Sequence, residues 1–258
     1  MKIAVITGAS SGIGREFSWQ IPRLYKSLDE IWILARRTER LKKLEKELKV
    51  PVRIFDSDLT RDYIYDRLEK ELARMQPDIR MLVNAAGYGR VGSFSEADTD
   101  AQLGMLDLNI RALTRMTKLC LPYLSRGSRV VQVSSAAAFA PQPGFSVYAA
   151  TKSYVYSFTM GLAEELSARG IFVTAVCPGP VDTEFFERAG GEAESMKDSF
   201  KASPEAVVRQ ALLDAVSGRR VSVYSLPMKA ARVFAKLLPD CLTVRLMRKI
   251  NGGCQAAS

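Results

Sequence analysis

The sequence predicts an α/β protein, a single doubly wound domain whose parallel sheet of about seven strands carries helices on both faces. Three observations carry that expectation. Short Val- and Ile-rich runs alternate with helix-length amphipathic stretches from the first residues onward, as βαβ units do. The runs show little polar alternation, as strands buried on both faces should. A glycine-rich turn over 7–14 follows the first run and opens a helix, where Rossmann-like folds receive an anionic ligand.

Strands are expected at 2–7, 30–35, 51–55, 79–84, 128–134, 171–176 and 220–224. Each is a run of four to eight residues rich in β-branched side chains. Helices are expected at 12–27, 38–49, 60–75, 100–125, 146–169 and 204–217, with Thr38 and Thr60 as N-caps and Pro22 kinking the first. The stretch 184–203, with Gly190 and Gly191, is long for a connection and reads as a lid or a disordered loop. Residues 1–225 are thus expected to form one Rossmann-like domain. Residues 226–258 form a basic, helical extension expected to pack on it.

Composition narrows the chemistry. The 258 residues include no histidine, which excludes Ser-His-Asp and Cys-His nucleophiles, His-ligated metals and a His base. The four cysteines are scattered without a C-x-x-C pair, so they read as free thiols and no metal site is expected. No apolar run is long enough to cross a bilayer, and no signal-peptide pattern precedes the first strand, so a cytoplasmic protein is expected. The net charge is +9. From 219 to 250 there are eight Lys or Arg against one acid; the rest is near neutral, and nucleic-acid binding is not indicated.

The turn reads Thr7-Gly8-Ala9-Ser10-Ser11-Gly12-Ile13-Gly14. Its glycines let a diphosphate approach the backbone, and the helix-start N–H groups face the charge. The second strand ends Ala35-Arg36-Arg37. An NAD site would place an acid there for the ribose 2′-hydroxyl; two arginines suit a 2′-phosphate through forked, charge-assisted bonds. NADP(H) is therefore the expected cofactor. Tyr148 and Lys152 stand four apart on one helix face. An ammonium beside a phenol, with a cationic nicotinamide, should lower the phenol's pKa toward neutrality. Ser135, thirteen positions before Tyr148, could bond the same substrate oxygen; Ser134 is its neighbour and competitor.

These motifs together resemble the short-chain dehydrogenase/reductase family over the chain up to about Val223. Residues 7–14 look like its cofactor turn and Asp58-Leu59 like its adenine contact. Asn84-Ala85-Ala86-Gly87 resembles its NNAG element, with Ala85 in place of the second Asn. Pro178-Gly179-Pro180-Val181-Asp182-Thr183 resembles the segment holding the nicotinamide carboxamide. The resemblance implies that Tyr148 is general acid or base and Lys152 lowers its pKa and binds the nicotinamide ribose. It likewise implies that Ser135 polarises the carbonyl and Asn109 holds a water in a proton relay.

Phe139, Pro141, Pro143, Phe145, Phe185, Phe186 and Met196 cluster in loops after strand ends, which suggests an apolar pocket for a steroid-, lipid- or acyl-like ketone. A 3-oxoacyl-thioester reductase, its basic tail holding an acidic carrier, is the enzymatic alternative. A non-catalytic NADP(H) sensor is the alternative from another class, although such proteins usually lose the Tyr or Lys kept here. In the resembling family the two long helices, 100–125 and 146–169, build a homodimer or homotetramer interface. In the extension Lys229, Arg232 and Lys236 share one helical face, with Val233, Phe234, Leu237 and Leu238 on the other. After Pro239, Arg245, Arg248 and Lys249 group apart from Leu242, Leu246 and Ile250. The apolar stripes are expected to pack on the body with the charges in water; docking on an anionic membrane is the less favoured reading.

Overall fold

The computed structural model describes residues 1–185, 189–190 and 201–251. Phe186, Gly191 and Met196 lie outside them. The strands are β1 (Lys2–Thr7), β2 (Glu30–Ala35), β3 (Val52–Asp56), β4 (Asp78–Asn84), β5 (Arg129–Val133), β6 (Phe172–Val176) and β7 (Val221–Ser222). All pair in parallel, in the order β3-β2-β1-β4-β5-β6-β7. The order reverses between β1 and β4, and ligands of such sheets bind in the crevice outside the carboxyl ends at that point. β7 pairs over two residues only, shorter than the run 220–224 suggests.

Side chains divide between two cores by the period-two rule of strands. Ile3, Val5, Trp32 and Leu34 enter one core; Ala4, Ile6, Ile31 and Ile33 enter the other. The first is covered by α3 (Tyr63–Met75) and α6 (Ser146–Glu165) through Leu68, Leu72, Leu162 and Ala163. The second is covered by α1 (Gly12–Leu24), α2 (Thr38–Glu47) and α7 (Pro204–Val216) through Phe17, Ile21, Leu41, Leu44, Val208 and Leu212. Each such fully buried side chain contributes about 1.5–3 kcal/mol relative to exposure. Pro22 lies in the last turn of α1, so it helps end the helix there.

Several expectations are corrected. Thr38 is the first residue of α2, not its cap, and its hydroxyl donates to Asp56 at 3.2 Å. Thr60 precedes α3 by three residues, its N–H and hydroxyl both bonded to Asp58 at 2.9 and 2.8 Å. The helix over 100–125 is three pieces: α4 (Thr99–Leu106), a π-helical segment (Asp107–Ala112) and α5 (Leu113–Cys120). A π-turn inserts an extra residue and re-aims what it carries.

The extension folds as α8 (Leu226–Leu237) and α9 (Asp240–Ile250), but α8 faces opposite to the expectation. Arg232 turns toward the body, donating to the Tyr156 hydroxyl at 3.1 Å and lying over the Phe139 and Tyr156 rings. Met228 packs with the same cluster. Val233, Phe234 and Leu237 are exposed. An arginine stem and an aromatic pair made the inward contact that an aliphatic stripe was expected to make.

Candidate active site

The crevice is built at the ends of β1 and β4. Gly8 has φ +71°, and a Cβ there would stand 2.8 Å from the Ala86 N. A Cβ on Gly14 would meet the Gly8 carbonyl oxygen at 2.4 Å. Gly8 is therefore required for the close passage of the turn beside Ala85-Ala86, and Gly14 for the close approach of α1 to the end of β1. Thr7 Oγ1 accepts from the N–H groups of both alanines at 3.1 Å, so the substitution at Ala85 leaves this brace intact. Asn84 is 2% exposed and donates to Thr117 and Gln132 at 3.0 Å. Leu59 is buried beneath it and Ile13 packs against the opposite core.

Which residues would hold a dinucleotide follows from local chemistry. The first turn of α1 has neither a side-chain cap on Ser11 nor an acidic residue, so its leading N–H groups suit a diphosphate. Beside it a cavity of about 520 Å³ is lined by Gly12, Arg15, Thr183 and Glu184, among others. Arg37 donates to Ser10 through Nε and Nη2 at 3.2 and 3.0 Å. Arg36 is more exposed and reaches Asp58 at 3.8 Å. These residues fit a phosphorylated dinucleotide.

One participant was missed from sequence. Glu184 crosses from the loop after β6 to accept from Arg37 at 2.9 Å and also from Arg40. The Arg37 guanidinium holds its carboxyl at about 2, with Arg40 assisting against desolvation. No local pattern announces a contact across 147 positions.

At the reaction end, Ser135 stands close enough to Tyr148 to draw its pKa down in part, and Ser135 Oγ accepts from Ala137 N at 3.1 Å. The competitor Ser134 is committed elsewhere, donating to the Lys152 carbonyl at 2.7 Å. Lys152 donates to the Val133 carbonyl at 2.9 Å. Asn109, fully buried in the π-segment, accepts from Tyr88 N at 3.0 Å and donates to Tyr88 O at 2.9 Å and Thr151 at 3.0 Å. A Cβ on Gly87 would lie 2.9 Å from Asn109 Oδ1 and 3.3 Å from Lys152 Nζ. Glycine at 87 thus leaves the space in which asparagine and lysine converge.

Electrostatics differ from the expectation in one respect. Within the protein, burial pushes Tyr148 up to about 12, with Ser135 pulling it back only in part. Burial likewise brings Lys152 down to about 8. The ammonium points to a carbonyl and stands 5.7 Å from the phenol ring centroid, so desolvation governs both groups. A phenol held protonated is a proton donor.

Aromatic side chains wall this phenol. Phe145 stacks on Tyr148 at 4.2 Å between centroids, and Phe185 tilts against it at 5.4 Å. Phe139 instead packs on Tyr156, Pro141 is exposed, and the Pro143 carbonyl accepts from Asn251 at 3.2 Å. Opposite them, Ala136 N bonds the Pro178 carbonyl at 2.8 Å, tying the serine turn to 178–183. Gly179 lies under Met228, Val181 is buried and bridges Ala202, and Thr183 sits 3.2 Å from a Cβ built on Gly12.

A family model for the short chain dehydrogenase matches residues 2–193. The chain belongs to the short-chain dehydrogenase/reductase family. It is an oxidoreductase of CH–OH and C=O groups. Human very-long-chain 3-oxoacyl-CoA reductase is 28% identical, over 98% of this chain and 80% of its own length. Mouse 17-beta-hydroxysteroid dehydrogenase type 3 is 30% identical over 76% of this chain and 66% of its own. A short-chain dehydrogenase from Sphingobium yanoikuyae, solved with NADPH, superposes with a TM-score of 0.78 at 29% identity, covering 100% of this chain and 98% of that one. Among the described residues, no helix is long and apolar enough to cross a membrane.

Proposed function

We propose that this short-chain dehydrogenase/reductase uses NADP(H) to interconvert an apolar, lipid-like ketone and its secondary alcohol. The observation that carries the reading is Tyr148, buried beside Ser135 and walled by Phe145 and Phe185. A bound nicotinamide supplies the hydride. Tyr148 donates the proton to the substrate oxygen, which Ser135 orients, and Lys152 and Asn109 resupply it from the interior side. In the oxidative direction the Tyr148 phenolate must form first, which a positively charged nicotinamide, when bound, would favour.

NADP(H) rather than NAD(H) is supported by Arg37 beside Ser10 and by Arg36 and Arg37 standing at the end of β2 where the sequence itself carries no acid. The lipid-like substrate is supported by the aromatic wall and by the steroid and 3-oxoacyl-CoA named for two relatives. A homodimer or homotetramer through α4–α6 remains our reading of assembly; Leu103, Leu106 and Tyr154 are exposed there.

A panel of steroid, 3-oxoacyl-thioester and small ketones with NADPH, followed at the cofactor's absorbance, tests the assignment. Tyr148→Phe should lower turnover on the best substrate at least about a hundredfold while cofactor binding persists. Near-normal turnover by the Phe variant would overturn the role of Tyr148. Uniform preference for small polar carbonyls would overturn the substrate class.

A further inference from the structure

We propose that α8 and α9 form a surface that docks on an anionic lipid bilayer. Eight of the eighteen large exposed apolar side chains among the described residues fall within 226–250. On α8, Leu226, Val233, Phe234 and Leu237 are 57–78% exposed and follow the i, i+7, i+8, i+11 spacing of one helical face. On α9, Leu242 and Leu246 stand one turn apart, each 49% exposed. The inward face of α8 is occupied by Met228 and Arg232, so the outward stripe is not awaiting contact with its own domain.

The flanking charge identifies the occupant. Lys229, Arg245, Arg248 and Lys249 are exposed, and no ion pair engages them among the described residues. A stripe of Leu, Val and Phe edged by Lys and Arg is the composition of a helix that lies in a membrane interface. A second copy is the poorer partner. A two-fold contact would set this patch against itself, bringing like charges together. An anionic leaflet instead satisfies both features, each basic residue near it adding about fivefold in affinity. The placement also serves the chemistry. Asn251, at the end of α9, bonds Gln142 and Pro143, in the loop leading to Phe145 at the site wall.

Sedimentation of the full chain with vesicles tests the proposal, comparing phosphatidylcholine alone with phosphatidylcholine plus phosphatidylserine. The protein should partition onto the anionic vesicles at low salt, weakly onto the neutral ones, and be released by high salt. Neutralising three charges (Arg245→Gln, Arg248→Gln, Lys249→Gln) should weaken binding about a hundredfold. Phe234→Ser should weaken it without altering charge. All four positions are exposed, and unfolding curves of the variants verify that each stays folded. No partitioning onto anionic vesicles, or partitioning unaffected by both variants, would overturn the proposal. So would a vesicle-independent dimer that Phe234→Ser dissociates, since the face would then belong to a second copy.

Discussion

Lys152 offers the sharpest quantitative test, because its contribution to stability should depend on pH in a calculable way. Its side chain is 5% exposed, and burial brings its pKa from 10.5 to about 8. Below about pH 8 the lysine is charged in both folded and unfolded chains, and the folded state bears the full desolvation penalty. Above 10.5 it is neutral in both and the penalty vanishes. Between these limits the unfolded chain binds more protons, so this group makes stability rise with pH. At 1.36 kcal/mol per pKa unit the full penalty is about 3 kcal/mol. Replacing Lys152 with Met keeps an unbranched chain of similar volume and removes the titration. It also removes the bond to the Val133 carbonyl, a loss of roughly 1.5–3 kcal/mol that varies little with pH. The absolute stability change is therefore small near pH 7, where the two effects oppose each other, but its pH dependence is not. Urea unfolding of both proteins near pH 7 and near pH 10 should show the variant losing about 2–3 kcal/mol relative to wild type across that interval. Other titrating groups are common to both proteins and cancel. A difference constant with pH would refute desolvation as the cause of the shift, and a difference moving in the variant's favour would reverse its sign.

Three further outcomes follow from the site. Ser135→Ala should reduce turnover about a hundredfold, whereas Ser134→Ala should leave turnover within a few-fold and cost about 1 kcal/mol in urea unfolding through its lost bond to the Lys152 carbonyl; equal kinetic defects would reject the division of roles. Arg37→Ala should weaken NADPH binding about ten- to hundredfold while sparing NADH. Glu184→Gln should tighten NADPH by up to about fivefold, because the carboxylate held by Arg37 and Arg40 competes with a 2′-phosphate; titrations with both cofactors decide, and an unchanged or weakened NADPH affinity in the Gln variant would remove Glu184 from that role.

What the sequence made legible was whatever local spacing controls. The parallel strands are continuous apolar runs because both their faces are buried, and Ile3 through Ile6 divide cleanly between the two cores. The Tyr148–Lys152 pair is one helical turn, and Ser135 sits where β5 must end, so a thirteen-residue interval brings them together. The π-segment around Asn109 was not legible. Its extra residue per turn leaves no mark in a hydrophobic pattern that reads as one helix from 100 to 125. The Glu184 contact was equally hidden, because it depends on the fold bringing the end of β2 and the loop after β6 together.

The extension shows most clearly where pattern reading stops. Periodicity established that 226–237 has one basic and one apolar side, but not which of them meets the body. The usual answer, apolar inward, assumes that the body presents an aliphatic surface. Here it presents Phe139 and Tyr156, and an arginine can satisfy both the rings and the hydroxyl. Its guanidinium lies over the Phe139 ring and over the Tyr156 ring, and its Nη2 donates to the Tyr156 hydroxyl. A valine or leucine at 232 would leave the half-buried Tyr156 hydroxyl without that donor. The inward face of α8 was therefore selected by the polar chemistry of its partner, and its apolar stripe was turned outward as a consequence. This ordering of causes can be separated experimentally. Arg232→Leu should let α8 rotate or detach, and hydrogen exchange over 226–237 should accelerate relative to α6. Unchanged protection would mean that Met228, and not the arginine, holds the helix in place.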